Sequence, residues 1–241
     1  MGVPDAATEQ ALERFGAEVR GALGSHLVCL AVYGSAAGHD WVAGRSDVNV
    51  AIVVDRVSLD VLDALAPVVA GRPAGFALPL VLDPEWLADA RDTFPMELSD
   101  VASQHRLLAG RDVLADVVVE RGAVRRECEQ EARGKLLRLR ALYLETAGDA
   151  AALERVMTGS LKSFLVILRH LLQLNGGAAA TGYADVLRAA ETTLGALPVM
   201  RKLLEHRAGT APLAPPALRR EFGSYLDEVE RIVAALDQLD A

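Results

Sequence analysis

Four residues in the first quarter of this chain have types and spacing that suit phosphate chemistry. Gly34 and Ser35 close an apolar run, Leu27 to Tyr33, and Asp47 and Asn49 open a second one, Val48 to Asp55. Glycine lets backbone approach a phosphate closely, and a serine hydroxyl beside N–H groups can hold phosphate oxygens. Residues two apart on a strand point to the same face, so Asp47 and Asn49 are expected to project together towards the Gly-Ser turn. Oxygen ligands of this kind suit Mg²⁺, which is commonly shared between carboxylates and substrate phosphates. The candidate site residues in this pattern are Gly34 and Ser35, with Arg45 and Ser46 nearby, for a phosphate-bearing ligand, and Asp47 with Asn49 for a cation, Asp47 as metal ligand. A polar inter-strand connection is the plainer meaning of such residues, and a solvated role is the commoner one for loop residues such as His39, Asp40 and Arg45.

The elements that must position these groups are legible on either side. Leu12, Phe15, Val19 and Leu23 recur at helical spacing after the Pro4-Asp5 start signal. LVCLAVY and VNVAIVVD are dense in strand formers. Ser58 is placed to cap a helix through Ala70, a third strand is expected over Phe76 to Leu82, and Asp83-Pro84-Glu85 is a strong helix start. Beyond about Asp116 the pattern turns helical over 121 to 146, 151 to 174, 183 to 194, 198 to 206 and 216 to 239. The expected class is α+β: a small mixed sheet with flanking helices over 1–118, then an all-α bundle over 119–241.

The order of strand, YGSAAGHDWVAGRSD and VNVAIVV resembles the nucleotidyltransferase superfamily of the DNA polymerase β type. That family carries a Gly-Ser turn after the first strand, two acids two apart on the second, and a third acid on a later strand. The resemblance implies nucleotide binding by Gly34, Ser35, Arg45 and Ser46, with the phosphates on Gly34 and Ser35, a catalytic pair at Asp47 and Asn49, and metal binding by Asp47. It further implies a nucleoside triphosphate with Mg²⁺ as ligand and a small-molecule or protein acceptor for the nucleotidyl group. The helical second half resembles the bundles of small-molecule and antitoxin-type bacterial members, and Phe94 to Leu114 resembles their connecting segment. Two positions depart from the pattern. Asn49 replaces the second acid with a neutral amide, and FALPLVL carries no carboxylate; Asp83 just past it reads as a helix cap, and spacing alone does not place Glu97. Two functions therefore stand side by side, an active transferase and a degenerate nucleotide-binding or regulatory protein of the same fold.

Composition bounds the rest. With 241 residues, 51% hydrophobic and 24% charged, the chain can bury a real core. A net charge of −8 speaks against general nucleic-acid binding. The charge is uneven: residues 1 to 120 hold 8 Lys/Arg against 18 Asp/Glu, and residues 121 to 241 hold 17 against 15. Two cysteines signal no disulfide framework, and no stretch of about 18 apolar residues signals a membrane span, so the expected location is the cytoplasm. Self-association or a protein partner is left open. Arg126, Arg133 and Arg140, with Lys135 and Arg138 nearby, form a basic stripe that could face a triphosphate, although a solvated face is the commoner meaning. Arg201 and His206 form an Arg-x4-His pattern that a helix C-terminal cation pair explains better. His105 and His170 are expected on amphipathic helices.

Overall fold

A computed structural model describes residues 3–38, 41, 46–146, 148–177 and 182–239. The chain divides into two compact units, Met1–Glu120 and Arg121–Ala241.

The first unit is built on a four-stranded sheet in the order β3-β2-β1-β4. Its elements are α1 (Ala6–Leu23), β1 (Leu27–Tyr33), β2 (Asn49–Val54), α2 (Leu59–Ala70), β3 (Leu80–Leu82), α3 (Pro84–Asp89), α4 (Pro95–Ser103) and β4 (His105–Gly110). β1 runs antiparallel to both β2 and β4, and β2 pairs parallel with β3, so the sheet is mixed. The continuous apolar runs of β1 and β2 follow from burial on both faces. Leu30, Val32, Val50, Ile52 and Val54 pack with Leu12, Phe15 and Val19 of α1 and Val61 and Leu65 of α2. Cys29, Ala31, Ala51 and Val53 pack with Leu87 of α3 and Leu98 and Val101 of α4. Small Ala residues on that second face let the short helices lie close to the sheet.

Local chemistry fixes the helix starts as expected. Asp5 accepts from the Thr8 N–H at 2.8 Å, and Ser58 accepts from the Val61 N–H at 3.3 Å. Asp83 accepts from Trp86 N–H at 2.9 Å and from Val57 N–H at 3.0 Å, so it is indeed a cap. The Trp86 N–H, then that of Val57, holds its carboxyl below the usual range.

Two expectations need correction, the span of the third strand and the helix expected at His105. The third strand is shorter than Phe76 to Leu82: only Val48↔Phe76 bridges before regular pairing begins at Leu80. Pro79 explains the break, because it has no N–H to give a ladder. Within Phe94 to Leu114 lie a helix and a full strand, α4 and β4. His105 therefore starts β4, where its ring meets the Ala102 carbonyl at 3.1 Å and Asp112 at 2.9 Å. β4 ends on Gly110, at φ 82, where an added Cβ would stand 2.2 Å from the Val28 carbonyl oxygen, so only glycine fits.

The second unit is a bundle of α5 (Arg121–Thr146), α6 (Ala150–Leu174), α7 (Tyr183–Leu194), α8 (Pro198–Ala208) and α9 (Leu218–Asp237). Its centre is α6, where Met157, Leu161, Phe164 and Leu168 are fully buried against residues such as Cys128 and Leu139 of α5 and Tyr225 and Ile232 of α9. Burying each such side chain stabilises the unit by about 1.5–3 kcal/mol before chain entropy is set against it. Glu228 of α9 is also buried, and its two oxygens accept from the Val199 and Met200 N–H groups at 2.8 and 2.9 Å. A carboxylate from one helix thus caps the start of another. No described helix is long and apolar enough to cross a membrane.

Candidate nucleotide site

The β1–β2 pairing brings the candidate residues to one end of the sheet. Antiparallel register sets Tyr33, the last residue of β1, opposite Asn49, the first of β2. Immediately after Tyr33 the chain enters a 3-10 turn, Gly34–Ala36, and Gly34 takes φ 70. Only glycine adopts that left-handed conformation without strain. Its N–H is donated back to the Gln104 carbonyl at 3.0 Å, which ties the turn to the residue preceding β4. Its own carbonyl accepts from the Ala37 and Gly38 N–H groups at 3.0 and 3.2 Å.

A left-handed residue followed by a helical turn aims successive N–H groups into one concavity, the geometry that cradles anions. The Asn49 side chain is beside it: its Nδ2 lies 3.5 Å from the point a Cβ on Gly34 would occupy. Ser35 is half-buried, and its hydroxyl makes no hydrogen bond among the described residues. Asp47 is exposed and stands outside the core, two residues before Asn49. Ser46 is half-buried, while Arg45, like His39 and Asp40, lies outside the described residues.

Sequence reasoning missed part of the surroundings. Tyr33 donates its hydroxyl to Glu97 Oε1 at 3.4 Å, which places α4 over the same end of the sheet. Burial first, and then the negative charge of Glu97, pushes the Tyr33 phenol up, with Asp100 adding to it. The phenol is therefore neutral and a donor at any physiological pH. Gln104 was likewise without a signal, since its place depends on β4 pairing with β1. Glu97 stands in the FPMELSD segment already noted, but spacing could not carry it to Tyr33.

None of β2, β3 and β4 (HRLLAG) carries a carboxylate. The lead-in to β3, bridged to β2 at Val48↔Phe76 and by the Ala77 N–H donated to the Val48 carbonyl at 3.0 Å, carries no carboxylate either. Among the described residues no group of three or more His, Cys, Asp or Glu is arranged to hold a metal.

Three members of the basic stripe are paired within the second unit. Arg133 meets Glu129 at 2.9 Å and Asp237 at 2.7 Å, Arg140 meets Glu230 at 2.7 Å, and Lys135 meets Glu131 at 2.8 Å. The Arg-x4-His pair is also divided, with Arg201 bonded to Glu191 and His206 3.3 Å from Glu154.

No protein-family model matches the chain, and no curated protein does. Among solved structures it is similar to a spectinomycin adenyltransferase from Enterococcus faecialis with ATP and spectinomycin. The likeness has a TM-score of 0.57 at 13% identity and covers 95% of this chain and 99% of that one. At that identity the likeness speaks for architecture, and the architecture is the nucleotidyltransferase fold: a mixed sheet with flanking helices, then a helical region.

Proposed function

We propose that the Gly34–Asn49 end of the sheet binds a nucleoside triphosphate with Mg²⁺, and that the chain passes its nucleotidyl group to a small-molecule or protein acceptor. The observation that carries this reading is the left-handed Gly34 turn with the Asn49 amide against it and Asp47 exposed at the entry to β2. Gly34 lets a phosphate approach the backbone, the Ser35 hydroxyl is free to donate to it, and the Asn49 amide orients it. The similar structure, an adenyltransferase with ATP, supports the same class of ligand.

The donor set fits a Mg²⁺ ion that arrives with its nucleotide rather than one caged by protein. Asp47 offers one carboxylate and Asn49 one amide oxygen, and Mg²⁺ is often bound by one or two carboxylates plus substrate phosphates. When bound, the ion would offset the phosphate charge. In the transfer itself the acceptor oxygen or nitrogen bonds to the α-phosphorus and loses its proton, and the α–β phosphoanhydride bond breaks to release pyrophosphate.

A second reading, binding without transfer, has its own observation. Position 49 is neutral, so the pair two apart at the start of β2 supplies one carboxylate, Asp47, where two-metal phosphoryl chemistry uses several. One experiment separates the two. The full chain is titrated calorimetrically with each nucleoside triphosphate plus Mg²⁺ or Mn²⁺, and pyrophosphate is assayed in the same samples. Binding with pyrophosphate release supports transfer, binding alone supports a sensor or regulatory role, and no binding at all removes both.

A further inference from the structure

The helical unit carries a groove lined by its own residues. Between the second half of α5 and the first half of α6 lies a cavity of about 540 Å³, a size typical of small-molecule sites. Leu139 and Leu142 of α5 and Val156 and Phe164 of α6 give it apolar walls. Gly159 opens one wall, for a Cβ there would meet nothing within 4 Å. Glycine inside a long helix costs helix stability, and here it leaves space rather than a close packing contact.

Polar groups in the groove are few and directional. Ser160 shares a hydrogen bond of 3.0 Å with the buried Tyr225 hydroxyl, which fixes it in the floor. Ser163 lines the same groove with a hydroxyl that has no partner among the described residues. The charged lining is Lys135, Arg138, Arg155 and Glu145. Lys135 is already held by Glu131, whereas Arg138 and Arg155 make no ion pair among the described residues. Arg133 and Arg140, on the same helix, are bound to acids of α9. Two unneutralised guanidinium groups against the single carboxylate of Glu145 leave the mouth of an apolar groove positive.

We infer that this groove binds a small amphiphile, an apolar body with one acidic head group, the head on Arg138 and Arg155 and the body along Leu142 and Val156. Arginine suits such a head because its planar fork pairs with carboxylate or sulfonate oxygens two at a time. All the residues that line the groove belong to the second unit.

The test is a fluorescence titration of the full chain with 1-anilinonaphthalene-8-sulfonate, an aromatic monoanion, with decanoate and decanol as competitors. Saturable binding is expected, with decanoate displacing the dye about tenfold better than decanol because only the acid pairs with arginine. Gly159→Leu, which fills the groove, and the Arg138→Ala/Arg155→Ala pair should each weaken binding about tenfold while far-UV circular dichroism stays unchanged. Gly159→Ala favours the helix and serves as the folded control should the leucine variant fail, with a smaller but measurable loss. Dye binding that survives these substitutions, equal competition by decanol, or absence of saturable binding would each overturn the proposal.

Discussion

The side-chain amide of Asn49 packs against the turn at Gly34, with Nδ2 3.5 Å from where a Cβ on that glycine would be. The contact joins the end of one strand to the start of its neighbour, and it depends on the register that sets Tyr33 opposite Asn49. A one-residue slip would turn Asn49 to the other face.

Gly34→Ala is therefore expected to act twice. A non-glycine residue at φ 70 costs about 1–3 kcal/mol of stability. The new methyl also stands between backbone and any phosphate, so Mg²⁺-ATP affinity should fall about tenfold or more, the loss of roughly one charge-assisted hydrogen bond. Thermal unfolding and calorimetric titration read the two effects separately. Unchanged affinity in a folded variant would move the phosphate elsewhere.

Asn49→Asp should strengthen divalent-metal binding. A second carboxylate beside Asp47 adds charge where a hard cation is held by oxygen, and even at solvent-like screening that is worth about tenfold in affinity. Mg²⁺ titrations with nucleotide present test this, and a parallel pyrophosphate assay shows whether chemistry follows. Metal affinity equal to that of the parent would take Asn49 out of the site.

Arg133→Ala with Arg140→Ala is expected to leave nucleotide binding within about twofold, since both side chains are already paired with acids on α9 and have little charge to lend. The change should appear instead as a loss of salt-dependent stability, because both pairs are half exposed and screened by ions. A marked drop in nucleotide affinity at low salt would restore the stripe to the binding site.

Glu228 gives the helical unit a pH dependence whose sign can be worked out. Burial pushes its carboxyl above the ordinary 4.5, against the opposing donation from the Val199 and Met200 N–H groups. As pH rises above 4.5 the unfolded chain releases this proton first, so the stability Glu228 contributes is greatest below that value and declines as pH climbs through the raised one. Glu228→Gln has no proton to lose, and denaturant unfolding of the variant should be flatter with pH across that window. Glu228→Ala, which leaves both N–H groups buried and unpaired, should cost on the order of 3 kcal/mol. An identical pH profile in the glutamine variant would assign the dependence to another group.

Local signals set much of this molecule in advance. The apolar runs of β1 and β2, the caps at Asp5, Ser58 and Asp83, and the long helical periods beyond Arg121 are each decided within a few residues, by side chains that satisfy nearby N–H groups or bury one face. The Gly-Ser turn and the Ser46-Asp47-x-Asn49 spacing were readable for the same reason, and the fold they implied is the one the chain adopts. What the chain could not announce locally was decided by partners far along it. HRLLAG is a strand because β1 offers it an edge, and Phe76 to Pro79 falls short of one because proline cannot donate into the ladder. Glu97 reaches the site only through Tyr33, across 64 residues. Arg133 and Arg140 of the α5 stripe are paired with acids of α9, about a hundred residues later. Charges and hydrogen bonds act through space, so residue types and short spacings suffice for elements, whereas the company a side chain keeps is fixed only when those elements pack.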